Sequence, residues 1–193
     1  LSEPEYSDGA FVVAQFGQDG DLGLEKTGER VIPGLTDYSL YIPHIKRYAL
    51  ASGFAEGGRV LDAGCGTGYG AKLMSKTATR VDAVDICQDA LDFAKRTYGD
   101  PKIQWSMADL RKLDPEPGAY DLVTSFEVIE HLEREDIASY LANLDRALKS
   151  GGTAMISTPN RLVAEQWENP HHRCEMTLDE FRACLSSVFA EVT

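Results

Sequence analysis

Two carboxylates and an imidazole fall within five residues in "SFEVIEHLE" (125–133), as Glu127, Glu130 and His131. If a helix opens here, positions i, i+3 and i+4 share one face and the three side chains converge. Oxygen ligands with one or two imidazoles suit Mg2+ or Mn2+, which keep water positions open for substrate oxygens. A second histidine pair, His171 and His172, stands in the long segment after the next apolar run and is expected to reach the same place. The plainer alternative is that Glu127 and Glu130 favour a helix N-terminus while His131 hydrogen-bonds a loop.

A second chemical feature lies upstream. "VLDAGCGTGYG" (60–70) joins an apolar strand segment to a helix. Gly64, Gly66 and Gly68 let the backbone turn sharply and approach a ligand, and a helix start offers unpaired N–H groups. About twenty residues on, Asp85 ends the next strand segment, where a carboxylate accepts hydrogen bonds from both hydroxyls of a ribose. A nucleoside-containing cofactor follows. "GTGYGA" (66–71) fits the dinucleotide pattern in letters, but Asp62 would then face a pyrophosphate. The same carboxylate suits the ammonium and sulfonium of S-adenosylmethionine. Asp109-Leu110 closes a third strand segment, where a carboxylate can take an adenine amino group while Ile86 packs on the ring. Cys65 reads as a small spacer in the turn rather than a nucleophile.

These residues need a frame. "RVLDA" (59–63), "RVDAVDI" (80–86), "KIQWSMADL" (102–110), "YDLVTSF" (120–126) and "TAMISTP" (153–159) alternate with amphipathic segments at 69–77, 88–98 and 134–148. Strands alternating with helices predict an α/β fold, a doubly wound parallel sheet covered on both faces. A helix is expected over 37–52 with Gly53 as its stop, and another over 177–187 begun by a Thr177/Glu180 capping box. Gly151-Gly152 is expected to end the 134–148 helix. Residues 1–36, rich in Gly, Asp and Glu, form an expected arm or lid, and 37–193 one domain. "FAEVT" (189–193) reads as an opening strand, so the sheet's closing hairpin is expected to be missing. Trp105 is expected in the core and Trp167 in a substrate loop.

A net charge of −12 works against attraction to phosphate backbones or anionic membranes, so nucleic acid is not the expected partner. The four cysteines show no CxxC spacing, no apolar run approaches a membrane span, and the N-terminus lacks a signal-peptide pattern. The expectation is a soluble, reduced, cytoplasmic protein.

From about Asp37 to the C-terminus the chain resembles the class I S-adenosylmethionine-dependent methyltransferases, on "VLDAGCGTGYG", "VDAVDI", "ADL", "YDLVTSFEVIEHL" and "LKSGGTAMISTPN" in that order. The resemblance implies their Rossmann-like fold. It also implies a cofactor site of Asp62, Gly64, Cys65, Gly66, Gly68, Asp85, Ile86, Asp109, Leu110 and Phe126. Arg30, Tyr41, His44 and Arg47 precede the core where related enzymes bind the methionine carboxylate, Arg47 being favoured. "TGERVIPG" (27–34) with "STPN…NPHHRCEMTLDEF" (157–181) is similar to methyltransferases found beside glycosyltransferases. "EVIEH" with "HRCEMT" is similar to Hen1-type RNA 2′-O-methyltransferases and ubiquinone-pathway O-methyltransferases, whose cluster and later histidine bind a divalent metal. Carried over residue by residue, that gives Glu127, Glu130, His131 and His172. Cys174-Glu175-Met176 replaces the aromatic pair that Hen1-type enzymes carry around this glutamate, which weakens the RNA reading. The implied reaction is methyl transfer to a hydroxyl of a small molecule or glycan, with a metal orienting the acceptor or His131 or His172 serving as general base. A Hen1-like RNA enzyme and a chain that holds cofactor or a partner without turnover are the alternatives.

Overall fold

The computed structural model describes Leu24 and residues 30–164 and 169–193. Trp167 and the first residues of "TGERVIPG", with most of the expected arm, lie outside them. Helix α1 (Tyr38–Phe54) precedes β1 (Arg59–Ala63), α2 (Tyr69–Met74), β2 (Arg80–Asp85), α3 (Gln88–Tyr98) and β3 (Ile103–Met107). Then come β4 (Tyr120–Phe126), α4 (Ile137–Ala147), β5 (Leu148–Ser157), the short α5 (Arg161–Ala164) and α6 (Leu178–Ser186). The five strands are parallel in the order β3-β2-β1-β4-β5.

Alternating strand residues serve opposite faces, as the two-residue period requires. Val60 and Leu122 join one apolar cluster with Tyr48, Met74, Leu91 and Trp105. Leu61 and Val123 join the other, with Ile137, Tyr140, Leu141 and Leu144 of α4. Trp105 is thus a core residue, as expected. The chain runs outward from β1 through β2 and β3, then returns to add β4 and β5 on the other side. The loops after β1 and β4 therefore diverge at the carboxyl edge, which opens a crevice there.

Four boundaries differ from the sequence reading. Helix α1 runs through Gly53 to an Ala55 cap. The third strand stops at Met107, and Asp109 caps a single 3-10 turn over Leu110–Lys112. Gly151-Gly152 does not end α4, which stops at Ala147. The pair lies inside β5, where the register against β4 shifts between Tyr120 and Leu122 and Gly151 takes φ +77°. Residues 189–193 form no strand, since a strand needs a partner and no described segment pairs with the outer side of β5. The capping box on α6 forms as read, with reciprocal bonds between Thr177 and Glu180.

Candidate functional site

A cavity of about 650 Å³ opens at the carboxyl edge of the sheet, a size suited to a cofactor with a small acceptor. One wall is the turn after β1. Gly68 takes φ +83°, and a Cβ there would sit 2.6 Å from Ala94 Cβ and the Trp105 ring, so only glycine closes the turn onto the core. Gly66 takes φ +53°, yet its would-be Cβ meets nothing within 4 Å; the open space is the cavity itself. A ligand can therefore lie directly against this backbone. Asp85 anchors the turn by accepting from the Gly66 N–H at 2.8 Å and the Cys87 N–H at 2.9 Å, and its carboxylate also lines the cavity. Ile86, 65% exposed, Asp109, Leu110 and Phe126 complete this side. Arg111 grips Asp109 through Nε at 2.9 Å and Nη2 at 2.7 Å, which holds that carboxyl below its ordinary range. Burial pushes the Cys65 thiol well up, in keeping with a spacer.

Asp62, expected to face a cationic cofactor end, lies one layer behind the wall. It is fully buried, and one oxygen accepts from Thr124 Oγ1 at 2.8 Å and from the Tyr48 hydroxyl at 3.1 Å. The other oxygen is buried without a partner. Desolvation pushes its pKa up to about 7 against these two hydrogen bonds. Arg47, favoured for a carboxylate contact, instead pairs with Glu127 at 3.2 Å and does not line the cavity. Arg30 and His44 do line it, His44 held by the Tyr69 hydroxyl at 3.1 Å and lowered in pKa by burial. Tyr41 packs edge-on against Tyr69.

The opposite wall comes from the loops after β4 and β5. Glu127 does not open a helix: its φ is +57°, alone among the described non-glycine residues, and the 3-10 turn that follows covers Ile129–His131. Its carboxylate accepts from Ser157 Oγ at 2.7 Å and turns toward Arg47. Glu130, 1% exposed, accepts from Thr158 Oγ1 at 3.2 Å. Burial, then the charge of Glu127, pushes its pKa up to about 8. The expected helical face of i, i+3 and i+4 is therefore absent: the left-handed Glu127 stands outside the turn that carries Glu130 and His131, while still lining the same cavity.

A different group forms. Glu130, His131 and His172 bring ligand atoms within 4.8 Å of one another. They meet because the carbonyl of Glu130 accepts from the N–H groups of both Arg173, at 2.7 Å, and Cys174, at 3.0 Å. The ends of the histidine loop are pinned where Asn160 bridges Met176. His131 Nδ1 lies 3.2 Å from the carbonyl oxygen of His171, which can only accept, so Nδ1 is the donor in this contact. The two rings stand 5.1 Å apart, edge to face. His171 is exposed and contributes this carbonyl rather than its ring.

Sequence reasoning missed Thr67, whose buried hydroxyl donates to Val31 O at 2.7 Å and fastens the segment before α1 over the cavity. It also missed Tyr69 and Arg111; their partners are tertiary or lie inside an unanticipated turn. Glu175 carried a signal, three residues beyond His172.

A glycine turn, an acidic residue ending β2 and an open parallel sheet define a nucleoside-cofactor-binding α/β protein. Residues 60–152 match the methyltransferase domain family, and the chain is similar to S-adenosylmethionine-dependent methyltransferases. It is 33% identical over 174 residues to a protein of Mycolicibacterium smegmatis named a probable S-adenosylmethionine-dependent methyltransferase, covering 88% of this chain and 66% of that one. It is 36% identical over 110 residues to the ubiquinone biosynthesis O-methyltransferase of Paracidovorax citrulli, covering 55% of this chain and 45% of the relative. The chain thus spans just under two thirds of the first relative's length and less than half of the second's. The solved methyltransferase domain of bacterial CtHen1-C superposes with a TM-score of 0.61 at 26% identity, over 74% of this chain and 79% of that one. Among the described residues no helix is long and apolar enough to cross a membrane.

Proposed function

We propose that this protein transfers the methyl group of S-adenosylmethionine to a hydroxyl oxygen of a small molecule or glycan, assisted by a divalent cation such as Mg2+ or Mn2+. One observation carries the reading: the glycine turn with Asp85 and the group Glu130, His131 and His172 line one cavity. The cofactor supplies a methyl on a sulfonium, and displacement at that carbon depends mainly on holding donor and acceptor in line. The residues fit it. Gly66 leaves room against the backbone, Asp85 has acceptor capacity for ribose hydroxyls, and Ile86 offers an apolar surface. The buried, unpartnered oxygen of Asp62 sets negative potential behind the turn, which favours a cationic ligand.

A carboxylate and two imidazoles also fit a hard divalent ion, which when bound orients and acidifies a hydroxyl. Glu130 is enclosed and costly to ionise alone, so a cation relieves the site that holds it. Glu127, paired with Arg47 and Ser157, stands outside this group and sets the charge around it. Without a metal, Nε2 of His131 or His172 takes the acceptor proton.

The test is release of S-adenosylhomocysteine across phenolic, sugar and glycoside acceptors, in EDTA and with Mg2+ or Mn2+ restored. Turnover should vanish in EDTA and return with the ion. Full turnover in EDTA removes the metal, and no turnover on any hydroxyl acceptor removes O-methylation. Calorimetry on Asp85→Ala should show a loss of about 1–3 kcal/mol in cofactor affinity; unchanged affinity would take Asp85 out of the site.

A second reading is methylation of an RNA ribose, favoured by the same donor group and by the likeness to the bacterial CtHen1-C domain. The charge of −12 weighs against it. RNA binding that weakens steeply with salt would move the assignment that way.

A further inference from the structure

We infer that Glu175 is a positioning residue that fixes the tautomer of His172 and so makes Nε2 the atom His172 contributes to the group with Glu130 and His131. The inference deepens the proposed function and rests on that site being the reactive one.

Two hydrogen bonds among the described residues set the polarity of His172. Glu175 Oε1 lies 2.6 Å from Nδ1, and a carboxylate oxygen can only accept, so Nδ1 carries the proton. Asn169 Nδ2 lies 2.9 Å from Nε2, and an amide nitrogen can only donate, so Nε2 carries the lone pair, which Asn169 holds until a ligand takes its place. Two neighbours with opposite polarity select the same tautomer. A carboxylate behind an imidazole also fixes the plane of the ring, the arrangement that orients histidine ligands in metal sites.

Glu175 is held in place without help from His172. Cys174 before it and Met176 after it are both buried, at 6% and 4% exposure. The Cys174 N–H is bound to Glu130 O, and Met176 O accepts from the Arg161 N–H at 3.0 Å. Glu175 therefore sits on a backbone fastened at both neighbouring residues, with its side chain on the histidine's side. An exposed His–Glu pair at i, i+3 would do little, but here the side chains are only 12% and 20% exposed.

The experiment has two readouts. Long-range proton–nitrogen NMR of 15N-labelled protein at pH 8, with His172 identified by comparison with His172→Ala, reads the tautomer directly. Calorimetry with Mn2+ alone reads the group's affinity. The wild type should show the Nδ1–H form at His172. Glu175→Ala should shift it toward Nε2–H and weaken Mn2+ by about 10–100-fold, the scale of lost support to a metal ligand. Glu175→Gln, whose carbonyl still accepts, should keep the tautomer and lose less affinity. An Nε2–H form in the wild type overturns the inference whether or not the variants fold. So does Glu175→Ala with unchanged tautomer and affinity. If the tautomer shifts as expected but the wild type binds no Mn2+, the positioning role stands and the metal in the proposed function falls.

Discussion

The two walls of the cavity are built in opposite ways. The wall after β1 is a continuous strand, turn and helix, closed by backbone geometry at Gly64, Gly66 and Gly68 and one anchoring carboxylate 19 residues on. The wall after β4 and β5 is two loops brought together at the sheet edge, joined where Glu130 O takes two N–H groups and where His131 meets His171 O, 40 residues apart in sequence. The first wall is part of the fold and fails with it. The second is mounted on the fold, so its chemistry can be removed while the domain stays intact.

The difference is testable, and the largest effect belongs to the first wall. Gly68→Ala places a methyl 2.6 Å from Ala94 and Trp105 at a positive φ, and should cost about 3 kcal/mol or more in urea unfolding. Cofactor binding should disappear with it; a stable variant that binds normally would break the contrast. Glu130→Ala and His172→Ala should do the reverse, cutting turnover by about 100-fold or more while S-adenosylhomocysteine affinity stays within a few-fold. Loss of cofactor binding in either would show that the walls are not separable.

The smallest effect concerns the layer behind. Burial pushes the pKa of Asp62 up to about 7 in the folded state, far above the ordinary carboxylate range, so the folded chain holds its proton more tightly than the unfolded chain. Stability contributed by this group is present below about pH 4, falls as the pH rises toward 7 and then levels off. Asp62→Asn should abolish that fall. In the ligand-free protein it should stabilise clearly at pH 8 and add almost nothing near pH 4, read from unfolding curves at the two values. Equal effects at both would mean that Asp62 is ionised in the folded state without penalty.

The same contrast explains what the sequence disclosed. The strands over 59–63 and 120–126 were legible to the residue, because buried parallel strands are short apolar runs bounded by turns. The glycine turn and Asp85 were legible because their geometry is local. Glu130, His131 and His172 were correctly gathered, but for an incorrect reason. A helical face was expected, and a 3-10 turn with a left-handed Glu127 did the gathering. That backbone conformation has no letter of its own when the residue is not glycine or asparagine. Asp62 and Arg47 fell outside the cavity because their partners, Tyr48 with Thr124 and Glu127, are tertiary. β5 was misjudged at its start because a glycine pair reads as a helix stop, while a bulge against a neighbouring strand can be seen only when both strands are present.

The shared carbonyl of Glu130 has a kinetic meaning as well. The amides of Arg173 and Cys174 should exchange with solvent only when their bonds to Glu130 O break, and breaking them would also part His172 from Glu130 and His131. Closure of the loop and assembly of the site are one event. Whatever binds that group slows the opening in proportion to its occupancy, by mass action. Two backbone protons, chemically remote from any reaction, thereby keep time for the site.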